Sequence, residues 1–71
     1  MSRTLTEEQR EDLAQLMIMM KIPKESCLEV LTVIDTPMKM RLFLDKLSEK
    51  NFRMTSEEVY QALVETVEET T

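Results

Sequence analysis

Few side chains in this sequence have types and spacing suited to chemistry. Two carboxylate pairs, Glu7-Glu8 and Glu57-Glu58, offer the oxygen density used in acid–base work or cation binding. Both pairs stand just after a threonine, as Thr6-Glu7-Glu8-Gln9 and Thr55-Ser56-Glu57-Glu58. Capping and the positive end of the helix dipole account for acids in those places. Cys27 is the only cysteine, so neither an intramolecular disulfide nor a thiolate zinc site is open to it. Histidine is absent, which leaves a serine or cysteine nucleophile without its usual base. Glycine is absent too, which excludes a P-loop, a dinucleotide fingerprint and a standard EF-hand loop. The expectation is a protein that is not an enzyme, with no cofactor, no metal and no evident small-molecule substrate.

Two further groups could mediate binding. Lys39, Lys46, Lys50 and Arg53 are separated by 7, 4 and 3 residues, which places the first three on one face of a helix. Residues 36–53 carry five basic and two acidic side chains, and residues 54–71 carry five acidic and none basic. This basic face either docks an acidic protein or a phosphate backbone, or is a solvated face paired with the acidic segment that follows. The second reading is favoured, because charge runs usually solvate and no aromatic residue is interleaved for base stacking.

The other group is methionine, seven in all, with Met17, Met19 and Met20 close together. Methionine is flexible and polarizable and suits surfaces that accept varied apolar partners. The run Leu16-Met17-Ile18-Met19-Met20 is apolar around most of a helix circumference, whereas one packing seam covers a stripe of roughly 100°. Either this helix is surrounded on all sides, or Ile18 and Met19 project an apolar patch.

The elements that must hold these residues are helical, since nothing alternates like a strand. Leu13, Leu16, Met17 and Met20 share one face of a first helix over 7–21, which ends at Ile22-Pro23. Pro23 is expected as the first residue of a second helix, 23–34, with Cys27, Val30, Leu31 and Ile34 inward and Leu28 and Val33 widening the stripe. Thr36 caps a third, 37–50, with Met40, Phe43, Leu44 and Leu47 on one face. Asn51 is the best substitute for a terminating glycine, and Phe52 can then fold back toward Leu47. A fourth helix, 56–68, turns Val59, Ala62, Leu63 and Val67 inward, with Tyr60 and Val64 to one side. The fold class is all-α, one compact four-helix bundle-like domain over 1–71, a three-helix core plus a C-terminal helix.

The net charge of −5 disfavours nucleic acid as a general partner. No apolar run exceeds five residues, far short of the ~20 that span a bilayer, so no membrane role is expected. Without a secretory pattern at the start, the expected compartment is the cytoplasm, with Cys27 reduced.

The stretch Met20-Lys21-Ile22-Pro23-Lys24-Glu25-Ser26-Cys27-Leu28-Glu29-Val30-Leu31 resembles the loop and second helix of ubiquitin-associated domains, with Lys21 where that family usually has glycine. The resemblance implies a three-helix fold that binds ubiquitin through Met20, Ile22 and the part of the third helix near Leu44 and Leu47.

The leading expectation is a non-catalytic protein-interaction module or small subunit. It would bind a partner helix or a second copy through a Met-rich patch of Ile18, Met19, Met20, Ile22 and Met38. Self-association is the simplest version, since a chain this small gains buried area that way. The alternative is a small regulator that contacts nucleic acid through Lys39, Lys46, Lys50 and Arg53.

Overall fold

Local signals decide where each helix begins and ends. A computed structural model describes residues 4–71 of the chain. In it, α1 spans Glu7–Met19, α2 Lys24–Val33, α3 Pro37–Glu49 and α4 Ser56–Thr70. At α1 the Thr6 hydroxyl accepts the Gln9 N–H at 3.1 Å, and the Gln9 side chain accepts the Thr6 N–H at 3.0 Å. Thr55 and Glu58 close the same reciprocal box at α4, at 3.3 and 2.9 Å. Thr36 caps α3 by accepting the Lys39 N–H, and Pro37 supplies the first helical residue.

Two helices end in the same way. The N–H groups of Lys21 and Ile22 reach back to the carbonyls of Ile18 and Met17, and those of Asn51 and Phe52 to Ser48 and Leu47. Both are Schellman endings, which place the residue after the cap in the left-handed region. Asn51 takes φ 54° there, as the sequence predicts. The other site is Lys21, at φ 60°. The first helix therefore stops at Met19, two residues earlier than expected, because the backbone turns left-handed ahead of Pro23. Pro23 in turn is extended, with ψ 149°, and precedes α2 as its cap rather than opening it.

Packing joins α1 to α2, α2 to α4, and α4 to α3. The C-terminal helix is thus the link between α2 and α3. The core holds Leu13 and Met17 from α1, Val30 and Ile34 from α2 and its end, Phe43 and Leu47 from α3, and Val59, Ala62 and Leu63 from α4. Leu5 and Ile22 seal it from the connecting segments, and the Leu5 N–H donates to the Asp35 carbonyl at 3.1 Å. The radius of gyration, 11.1 Å, equals the value of about 11 Å expected of a compact chain this long.

Two inward assignments change. Thr66, not Val67, fills the last buried position of α4, where its hydroxyl donates to the Ala62 carbonyl at 2.7 Å. Leu28 does not widen the α2 stripe and is exposed instead. Among the described residues, every buried side-chain polar atom has a hydrogen-bond partner. No helix among them is long and apolar enough to cross a membrane.

Candidate functional site

Because α1 and α3 each pack on a different neighbour, an apolar groove of about 410 Å³ runs between them. From α1, Leu13, Leu16 and Met19 line it at intervals of three, which keeps them on one flank of the helix. From α3, Met40 and Leu44, four apart, form the opposite wall. Asp12 and Gln15 mark the polar edge.

Met19 also lines a second cleft at the C-terminal end of α1. There Met20 and Lys21 face Phe52, Arg53 and Met54 of the connection between α3 and α4. Both left-handed turns meet at this end, and Phe52 itself stands at φ 58°. The two clefts share Met19, so a methionine-rich surface continues from the α1–α3 groove to this end of the bundle.

The structure sorts the expected patch residues. Met19 is 78% exposed and sits at the junction of both clefts. Met20 is half-buried and lines the second. Ile18 is 69% exposed, but each residue turns an α-helix by about 100°, which sets it on the other flank of α1 from Leu16. Met38 is 66% exposed and lies roughly 200° around α3 from Met40, away from the groove. Ile22 is a core residue and leaves the accessible set, because the Schellman ending folds it inward. Met40, Phe52 and Met54 are among the lining residues that the sequence reading did not place in a binding surface, and Leu44 entered one only through the ubiquitin-associated resemblance. Met40 and Leu44 share a stripe with the buried Phe43 and Leu47, and periodicity alone does not separate wall from core.

The basic face of α3 has partners. Lys39 pairs with Asp35 at 3.0 Å, Lys50 with Glu58 at 3.8 Å, and Lys46 with Glu65 at 3.5 Å and with Glu69. The hydrogen bond from Lys46 to Glu69 is the main cause that raises the Lys46 pKa, and Glu65 adds to it. Glu58 is lowered, chiefly by the Thr55 N–H that its carboxylate accepts, and Asp35 is lowered by its hydrogen bond from Lys39. A phosphate backbone would have to compete with these acids for three of the four basic residues. Arg53 is exposed in the second cleft.

Cys27 is half-buried, and its thiol donates to the Ile22 carbonyl at 3.4 Å, which ties α2 to the end of the preceding turn. The carboxylates of Glu7-Glu8 and Glu57-Glu58 occupy first turns, with Glu58 taken up by capping. Among the described residues, no three acidic or cysteine side chains gather as a metal ion would require.

Comparison of the chain with protein-family models, curated proteins and solved structures finds no match. The contact set implied by the ubiquitin-associated resemblance is not displayed either. Ile22 and Leu47 are buried, and only Met20 and Leu44 reach the surface in part. The position where that family has glycine is nonetheless the left-handed one, Lys21.

Proposed function

We propose that this chain is a non-catalytic protein-interaction module whose working surface is the α1–α3 groove with its methionine-rich end, and that the groove takes the α1 helix of a second copy. The observation that carries this reading is Met19, an unbranched apolar side chain left 78% exposed where the apolar α1–α3 groove meets the mixed cleft at the end of the bundle.

The pairing of oppositely charged helix ends, not the net charge, favours a second copy as the occupant. At −5, the chain repels its own kind over most of its surface, and an apolar groove is where two copies can approach. A two-fold axis that runs two α1 helices antiparallel also sets the Asp12 end of one beside the Lys21 end of the other. These ends lie about 13 Å apart along one helix, so both pairings form at once, as an isologous interface requires.

Sedimentation velocity across a range of concentrations tests this. A concentration-dependent dimer, lost in Met19→Glu while the helical circular dichroism is retained, is the expected result. A strictly monomeric wild type, or a dimer indifferent to Met19→Glu, overturns the assignment.

A further inference from the structure

A second apolar groove, of about 260 Å³, lies on the opposite packing seam, between α2 and α4. Val33, Leu63, Val64 and Val67 form its floor and Tyr60 stands over it. Tyr60 is 56% exposed, and tyrosine is among the residues that most often anchor interfaces. The placement of Val67 runs against burial preference. The core takes Thr66, with its hydroxyl satisfied internally, while the neighbouring valine faces the groove. Glu29 stands on the α2 bank and Glu68 on the α4 bank.

The charges of α4 are divided. Glu58, Glu65 and Glu69 turn toward α3 and meet Lys46 and Lys50. Glu68 is on the other flank, and α4 itself contains no basic residue to offset it. The groove therefore combines an apolar floor with a carboxylate on each side.

We infer that the α2–α4 groove is a docking surface for a basic amphipathic helix of a partner protein, one whose apolar stripe is flanked by lysine or arginine on both sides. Tyr60 to Glu68 spans about 12 Å along α4, which matches two turns of a partner helix and anchors at i, i+3 or i+4, and i+7. The two carboxylates would take the flanking cations and fix the orientation of the bound helix, since charged rims set specificity and on-rate. This inference stands apart from the α1–α3 reading and survives if that one fails.

The chain has one tyrosine and no tryptophan, so intrinsic fluorescence reports on this groove alone. The probes are two synthetic helical peptides with the same leucine stripe, one flanked by lysines and one by glutamates. The lysine peptide should alter Tyr60 fluorescence saturably and shift the backbone amide resonances of Val33, Val64 and Val67. Binding should weaken about tenfold or more in Glu29→Lys/Glu68→Lys, and that double variant should prefer the glutamate peptide. No binding of the lysine peptide overturns the inference. So do equal affinity for the wild type and the double variant, or amide shifts confined to Leu16 and Leu44. Thermal melts of the double variant confirm that it is folded, and Val64→Glu, which blocks the floor without touching either bank, should abolish uptake of the lysine peptide.

Discussion

Lys21 offers the sharpest test of the backbone, because a side chain with a β-carbon occupies a position built for glycine. Its φ of 60° is fixed by two hydrogen bonds, from Lys21 N–H to Ile18 and from Ile22 N–H to Met17. A β-carbon in the left-handed region costs roughly 1–2 kcal/mol. Lys21→Gly removes that cost and adds back about 0.4–1 kcal/mol, because glycine makes the unfolded chain more disordered. The net effect lies between about 0 and 1.6 kcal/mol of stabilisation, and its midpoint of about 0.8 kcal/mol raises the melting temperature of a domain this small by roughly 3–6 °C. Thermal unfolding followed by far-ultraviolet circular dichroism measures it. Lys21→Ala is the essential control, since it deletes the same charge and aliphatic stem but keeps the β-carbon, and should gain nothing. Asn51→Gly should gain less than Lys21→Gly, because asparagine already tolerates this geometry. If Lys21→Gly melts no higher than Lys21→Ala, the left-handed turn is not what ends α1.

Two further perturbations separate core, surface and charge. Met17 is fully buried and Met19 is mostly exposed, so Met17→Ala should cost about 2–5 kcal/mol and Met19→Ala under about 0.5 kcal/mol in denaturant titration; comparable losses would refute the assigned face of α1. The lowered pKa values of Glu58 and Asp35 contribute stability that is present above the unfolded carboxylate range and lost as the pH falls through the folded values, while the raised Lys46 contributes stability present below the unfolded lysine value and lost as the pH climbs through the folded one. The melting temperature should thus fall below about pH 4 and above about pH 10.5, and Glu58→Gln should flatten the acid limb; a melting temperature unchanged from neutrality to pH 3 would contradict the capping geometry.

Much of the architecture was legible because capping is local. Thr6 with Gln9 and Thr55 with Glu58 satisfy backbone groups within one turn, Thr36 accepts the Lys39 N–H, and Pro37 has no N–H to satisfy, so four residues suffice to mark the start. Asn51 was legible for the same reason. Lys21 was not, because lysine carries no left-handed preference and Pro23 supplied a competing reason for the helix to stop. The exchange of Val67 for Thr66 was also hidden. Both lie near the inward flank, and which one is buried depends on how α4 is rotated between α2 and α3, a tertiary fact. Arithmetic showed only that the apolar circumference of α1 exceeds one seam, and it left open whether the helix is surrounded or Ile18 and Met19 are exposed; the structure exposes both. That they fall on different flanks required coordinates, as did the role of Met40 and Leu44 as a groove wall.

The order of packing explains why the surfaces differ in chemistry. Joining α1–α2, α2–α4 and α4–α3 leaves α1 and α3 facing each other with their backbones apart, and the apolar side chains that line the gap are methionine and leucine. The α3–α4 seam is the one with cations on one helix and acids on the other, and there the charges neutralise each other. On the α2–α4 seam no ion pair crosses among the described residues, and Lys24, the one basic residue of α2, does not line the groove. α4 has no basic residue, and Glu29 and Glu68 face outward from both sides of an apolar floor. The chain's excess of negative charge is therefore not spread evenly. It is cancelled along one seam, absent from the floor of the α1–α3 groove, and left uncompensated by the helices that frame the α2–α4 groove. The apolar flank of a second α1 suits the α1–α3 groove and a basic helix the α2–α4 groove, so a single perturbation of ionic strength should separate them. Added salt weakens uptake of a lysine-flanked helix by screening Glu29 and Glu68, whereas it leaves or strengthens apolar association through Met19. Equal salt dependence of the two processes would mean that the same surface serves both.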